Sequence, residues 1–264
     1  MVPNYNWYVT ACRSPYNAAM NKVKSGLVAA AKHLRNELEP LSFSAPVCWV
    51  YHPLQYAWSA HEVYLKRYAV GSCRVFLLGM NPGPWGMAQT GVPFGEIEAV
   101  RNYLQIETAI DKPAREHPKR PIEGFLCKRS EVSGKRLWGL FAERYPDPDD
   151  FFAEHFVSNY CPLVFMDDGA RNVTPDKLAA SETKQLDAIC DSHLRKCLLL
   201  LQPEFAVGVG AYAQDCLKRV CHSDTKLKGI AISKILHPSP ASPAANRGWA
   251  QQATAQLKAA GIWK

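Results

Sequence analysis

Two polar side chains stand near the heads of segments too rich in glycine and proline to be regular structure. Asn81 lies in Gly79-Met80-Asn81-Pro82-Gly83-Pro84-Trp85-Gly86-Met87-Ala88-Gln89-Thr90-Gly91-Val92-Pro93-Phe94-Gly95. His237 heads His237-Pro238-Ser239-Pro240-Ala241-Ser242-Pro243-Ala244-Ala245-Asn246-Arg247-Gly248-Trp249. An amide offers a donor and an acceptor that orient water or a base edge, and an imidazole exchanges or donates a proton near neutral pH. Each segment follows an apolar, strand-like run, residues 75–78 and 230–236. Ligands of open parallel sheets bind in the loops at the carboxyl ends of strands, so these two loops are where chemistry is expected. Taken singly the signals are cheap. His52-Pro53 and His117-Pro118 also occur, a loop-capping histidine accounts for any such pair, and Asn81 before Pro82 also fits an ordinary turn.

The elements that must carry these loops can be read from periodicity. Apolar residues at helical spacing run from residue 17 to 41, including Met20, Val23, Leu27, Ala30 and Leu34, and the pattern stops at Pro40. Residues 54–68, 96–104, 181–201 and 246–260 also read as helices, and a further helix follows the Gly210 turn as far as Cys221. Ser133 is a candidate N-cap for a helix through Phe141. Residues 47–51 form a short apolar run, and 74–78, 156–160, 205–209 and 230–236 read as buried strands. Residues 108–125 form a long, charged, proline-interrupted connection of the kind that is functional or mobile. Strands alternating with helices predict an α/β, three-layer sandwich. We expect one domain over 1–264, with residues 1–16 as an irregular arm.

Composition narrows the class. No run of about eighteen apolar residues is present, so no membrane partner is expected. The chain starts without a charged, then apolar, leader, which predicts a protein that is not secreted: cytoplasmic in a bacterium, nuclear in a eukaryote. Nine cysteines contain no C-x-x-C pair, which predicts buried thiols in a reducing compartment and neither a metal nor a cluster. The net charge of +7, from 31 basic and 24 acidic residues, suits a polyanion weakly. Its grouping is more telling: Lys112, Arg115, Lys119 and Arg120, then Lys128-Arg129 and Lys135-Arg136.

Taken together the motifs are specific. The first loop closely resembles the first motif of the single-strand-selective monofunctional uracil-DNA glycosylases. His237-Pro238-Ser239-Pro240, with Asn246, Gly248 and Trp249 in register behind it, resembles their second motif. Asn159-Tyr160-Cys161-Pro162-Leu163 is similar to their uracil-reading strand end, and the likeness runs from about Tyr51 to the C-terminus. It implies a central, mostly parallel four-stranded sheet flanked by helices. It also implies hydrolysis of the N-glycosidic bond of uracil and 5-substituted uracils, such as 5-hydroxymethyluracil, in single- and double-stranded DNA. The product it implies is an abasic site, made without a metal; we further expect no cofactor and a monomer.

The resemblance also implies roles. The target nucleotide is flipped into a pocket or presented by a single strand. Bond cleavage then leaves a uracil anion and an oxocarbenium-like sugar, so anion stabilisation is the main electrostatic task. His237 would donate to uracil O2, and Asn81 would position water, since an amide cannot act as a general base. Asn159 would read N3–H and O4, a pattern that cytosine reverses. Phe94 would stack on the base, Gly83 would leave room at C5, and Met80 and Met87 would line the pocket. Core packing is the competing role for Phe94, Met80 and Met87. Pro238, Ser239, Pro240, Ala241, Ser242 and Arg247 would form the wedge that fills the gap left by the base. The family usually carries a basic residue where this chain has Ala241. Ser133, Lys135 and Arg136, at a helix N-terminus, would bind phosphate; ordinary solvated surface is the alternative for these cations. Two other functions remain open: a xanthine- or hypoxanthine-preferring glycosylase of the same superfamily, and a protein that binds damaged bases without cleaving.

Overall fold

The computed structural model describes residues 15–264. The chain begins with helix α1 (Pro15–Leu38), strand β1 (Trp49–Tyr51), helices α2 (Pro53–Tyr56) and α3 (Trp58–Tyr68), strand β2 (Val75–Gly79) and the short helix α4 (Met87–Thr90). It continues through α5 (Val132–Arg144), α6 (Pro148–Glu154), β3 (His155–Asn159), β4 (Val164–Met166), β5 (Asn172–Val173), α7 (Ala180–Leu201), β6 (Phe205–Val209), α8 (Ala211–Ser223), β7 (Ala231–Ile235) and α9 (Trp249–Ala259). Strands β3, β2, β6 and β7 form, in that order, an entirely parallel four-stranded sheet. The α/β class and the flanked four-stranded sheet are as expected from sequence. All five residues of β2 are buried, which is the pattern of a central strand covered by helices on both faces. In α1, Leu27, Ala31, Leu34 and Leu38 fall on one buried stripe that packs against α7.

The register of the parallel sheet matters most for function. Gly79 pairs with Asn159, Leu78 with Gly208, and Val209 with Ile235. The carboxyl ends of all four strands therefore stop at one level. The loops that begin at Met80, Tyr160, Gly210 and Leu236 leave the sheet side by side.

Several details differ from expectation. The apolar run at 47–51 does not join the main sheet; β1 pairs antiparallel with β4, and β5 completes a small second sheet. The helix expected over 54–68 breaks at Ala57 (φ −113°), and the break brings the Ala57 carbonyl against Gly91. The helix expected over 96–104 forms over 97–103, but Ala99–Tyr103 is wound as a π turn. Ser133 is not an N-cap: Glu131 holds the extended backbone before α5, and Ser133 lies inside the first turn. The closing helix starts at Trp249, because Gly248 adopts the left-handed region (φ +91°) after a 3-10 turn over Ala245–Arg247. Helix α6 is additional, capped by Asp147, whose side chain accepts from the Asp149 amide at 2.9 Å. Of the arm expected over 1–16, Pro15 and Tyr16 are helical, with Pro15 at the first position of α1, where proline lacks nothing; the remainder lies outside the described residues.

Candidate active site

A cavity of about 290 Å³ opens where the strand ends meet. Met80, Asn81, Gly83, Met87 and Phe94 reach it from the loop after β2, Asn159 from the end of β3, and His237 from the loop after β7. The two polar residues singled out from the sequence, 156 positions apart in the chain, thus border one space.

The first loop is held by buried polar groups. Tyr56 Oη donates to the Ala88 carbonyl (2.8 Å), His61 Nδ1 bonds the Gly91 carbonyl (2.8 Å), and Trp138 Nε1 donates to the Pro93 carbonyl (3.2 Å). Gln89, fully buried, satisfies both ends of its amide: Nε2 donates to the Pro84 and Pro121 carbonyls, and Oε1 accepts from the Glu123 and Gly124 amides. The long connection over 108–125 is therefore tied to the site loop by hydrogen bonds. Gly79 is required by closeness: a methyl group there would lie 2.5 Å from both Asn159 Oδ1 and Phe94 Cε2. Phe94 itself sits at φ +52°, a conformation that costs a bulky residue free energy and is tolerated where the surroundings impose it.

The polar groups have definite roles as donors and acceptors. Asn81 Nδ2 donates to the Leu163 carbonyl (3.1 Å), which turns its Oδ1 into a buried acceptor with no protein donor among the described residues. The Ser239 amide donates to His237 Nδ1 (3.1 Å), so the neutral ring carries its proton on Nε2. Burial holds the His237 pKa below the ordinary imidazole value, which keeps the ring neutral. Gly210, at φ +97°, lets the backbone pass close behind it; a methyl there would lie 3.2 Å from His237 Cβ. Asn159 Nδ2 is 3.4 Å from Met87 Sδ, a weak interaction that leaves most of the amide's bonding capacity to a ligand. Its neighbour Tyr160 is anchored from behind by Asp187, Asp191 and Arg219.

The second loop places its residues differently from expectation. Ser239, expected in the wedge, lines the cavity, and Ser133 lines it too. Arg136 is not a free phosphate ligand: its guanidinium donates to the Pro238 carbonyl (3.0 Å), the Ser239 carbonyl (3.4 Å) and Asn246 Oδ1 (2.8 Å), so it tethers the loop. Asn246 Nδ2 in turn donates to the Pro240 carbonyl (2.9 Å). Pro238 is buried and Ser242 is half-buried, while Pro240, Ala241, Arg247 and Lys135 are exposed. Near the first loop, Arg120 and Arg129 stack on Trp85 at 5.0 and 5.6 Å from the ring centre.

Besides Pro82 in the first loop, three lining residues escape sequence reasoning: Glu131, Asn172 and Thr174. Asn172 and Thr174 come from the small antiparallel sheet and its exit, which no pattern announces. Glu131 is an acid in a basic run, Lys128-Arg129-Ser130-Glu131, and that contrast was its one available signal. Burial pushes the Glu131 carboxyl up to about 7, and the nearby Glu96 charge adds to this, against the pull of the Gly134 and Gly83 amides.

The description Uracil DNA glycosylase superfamily matches residues 65–258 of the chain. A single-strand selective monofunctional uracil DNA glycosylase from Bos taurus is 43% identical over 237 residues, covering 90% of this chain and 86% of its own. The protein of the same description from Rattus norvegicus is 44% identical, covering 90% of this chain and 84% of its own. Among solved structures, wild-type SMUG2 from Pedobacter heparinus shares the fold at a TM-score of 0.60 and 17% identity, over 88% of this chain and 98% of that one. The chain therefore belongs to the uracil-DNA glycosylase superfamily and, within it, to the single-strand-selective monofunctional uracil-DNA glycosylases.

Proposed function

We propose that the protein hydrolyses the N-glycosidic bond of uracil and 5-substituted uracils in single- and double-stranded DNA, as a monomer, and leaves an abasic site. The observation that carries this reading is the convergence of Asn81 and a neutral, Nε2-protonated His237 on one base-sized cavity. The extruded base stacks on Phe94, and the Asn159 amide pairs with its N3–H and O4. As the bond from N1 to C1′ breaks, its electron pair moves onto the base. His237 Nε2–H donates to O2 and stabilises that charge without giving up its proton. Water bonds to C1′ and releases a proton to solvent. Asn81 Oδ1, fixed as an acceptor because Nδ2 is committed to the Leu163 carbonyl, orients that water but does not deprotonate it.

The test uses single-stranded and duplex oligonucleotides carrying uracil, 5-hydroxymethyluracil, xanthine or hypoxanthine, with no added metal, followed by alkali to reveal abasic sites. Strand breaks at the two uracils are expected. Asn81→Ala should slow the single-turnover rate ~10²-fold, the scale of a positioned catalytic group. His237→Leu should do so by about the same factor, the scale of one oxyanion donor. Breaks confined to xanthine or hypoxanthine would move the substrate to deaminated purines. Tight binding without breaks would make the protein a sensor of damaged bases, and full activity in either variant would remove that residue from the mechanism.

A further inference from the structure

Among the described residues that line the base cavity, Glu131 alone carries a carboxyl group. Three glycines shape its slot. A methyl group at Gly83 would lie 3.2 Å from Oε1, one at Gly134 would lie 2.8 Å from Oε2, and one at Gly86 would overlap Oε2. The carboxyl is thus wedged between the first site loop and the start of α5. Its Oε2 is buried and has no hydrogen-bond partner among the described residues.

A second acidic residue, Glu96, has its Cβ against the same Gly134. Its situation is the opposite. Ser130 Oγ donates to Glu96 Oε1 at 2.7 Å, and the Ala99 amide donates to Oε2 at 2.9 Å. Burial without a donor on Oε2 disfavours the charged form of Glu131, and this outweighs the pull of the Gly134 and Gly83 amides, so its carboxyl holds its proton more tightly than usual. The other surroundings do not reverse this. The Gly83–Gly86 segment contains no titratable side chain, and His237 across the cavity is held neutral by burial. Arg136 of α5 is committed to the second loop, and Arg129 lies over Trp85. Lys135 is exposed.

We propose that Glu131 is a positioning residue of the base cavity that must hold a proton for the reaction to proceed, and that its ionisation switches the site off. The inference rests on the uracil reading, in which cleavage places a negative charge on the departing base inside this cavity. A neutral acid on the wall tolerates that charge. A carboxylate there opposes it, because two like charges sharing a partly dry cavity repel strongly. The ionised carboxyl would also face Gly83 and Gly86 with one oxygen unsatisfied, loosening the loop that carries Asn81.

Glu131→Gln tests this, since the amide imitates the neutral acid at all pH values. With the wild-type midpoint at about 7, the wild-type single-turnover rate on single-stranded uracil DNA should fall about thirtyfold between pH ~6 and pH ~8.5. The ratio of the two rates in Glu131→Gln should stay within about twofold. Thermal unfolding gives a readout that needs no substrate. The folded-state carboxyl binds its proton more tightly than the ordinary value of 4.5. Wild type therefore loses stability as pH rises from about 4.5 through about 7, and the variant does not, so its melting temperature should exceed that of wild type by several degrees at pH ~8 but not at pH ~4.5. Parallel rate profiles in the two proteins would overturn the proposal, as would melting curves that differ by a constant amount at every pH. If neither protein cleaves uracil at any pH, the uracil reading fails, and the melting curves then decide the protonation of Glu131 alone.

Discussion

The two loops that meet at the cavity are built on opposite plans. The loop after β2 is held from beneath: Tyr56, His61, Gln89 and Trp138 are all buried, and each captures a backbone group of the loop. The loop after β7 is held from its rim. Arg136 and Asn246 stitch its backbone, and Gln252 donates to the Ala244 carbonyl at 2.7 Å, while Pro240 and Ala241 face solvent. Buried donors fix a geometry at high cost if they are lost, because a partner left behind has no water to turn to. Bonds at the rim exchange with water and tolerate change. The half of the site that carries Asn81, Met87 and Phe94 is thus preformed. The half that carries Pro240 and Ala241 can be altered without unfolding the protein.

The contrast predicts its largest effect at Gln89. Gln89→Leu is similar in shape but strands four backbone groups: two carbonyls, at Pro84 and Pro121, and two amides, at Glu123 and Gly124. We expect ~3–5 kcal/mol of destabilisation by chemical denaturation, at the upper end for a single substitution. Uracil cleavage should fall as well, because the segment carrying Asn81 and Gly83 loses its support. A cost below ~1 kcal/mol would mean that the first loop is no more rigid than the second, and the comparison would fail.

That distinction was only half legible in the sequence. The parallel sheet was readable because β2 and β6 are short apolar runs with no alternation, and burial on both faces is what produces such runs. Asn81 and His237 could be nominated because each follows a strand directly. What escaped was whatever depends on where distant side chains end. Arg136 read as a free cation, and only the fold puts its guanidinium within 3.0 Å of the Pro238 carbonyl. Gln89 is one uncharged residue in a long motif, and its four partners come from two separate segments. Glu131 stands out in the sequence only as an acid in a basic run, a contrast that does not say which way its side chain turns. Ser133 read as a cap because serine caps helices often, but local preference lost here to the extended backbone at Glu131.

A smaller effect is expected at the rim. Arg136→Gln keeps some hydrogen-bonding capacity but loses the fork that spans the Pro238 carbonyl and Asn246. Stability should change by no more than ~1 kcal/mol, as for a partly exposed site. Single-turnover cleavage of duplex uracil DNA should fall about tenfold, the equivalent of ~1.4 kcal/mol, and that of single strands at most about threefold, because only the duplex requires a wedge. An equal loss on both substrates would show that the tether also shapes the base pocket through Ser239, which lines it. The two loops would then be a single unit.

The smallest effect belongs to the exposed tip. Ala241 makes one contact there, its amide bonding Ser239 Oγ at 3.2 Å, and its methyl group faces solvent. Ala241→Arg leaves that backbone contact intact and adds a cation to a surface that already carries Arg247 and Lys135. One further phosphate contact steepens the dependence of log binding constant on log salt by about 1. Duplex affinity at low salt should therefore rise only a few-fold, in line with the ~1 kcal/mol or less of an exposed charge pair, and the gain should vanish as salt is raised. Fluorescence anisotropy across a salt series checks both the slope and the gain. A gain that persists at high salt would require a side chain buried between bases, and the tip would then be a penetrating element in its own right; a loss of affinity would mean that the tip already fits the duplex too closely to accept a larger residue.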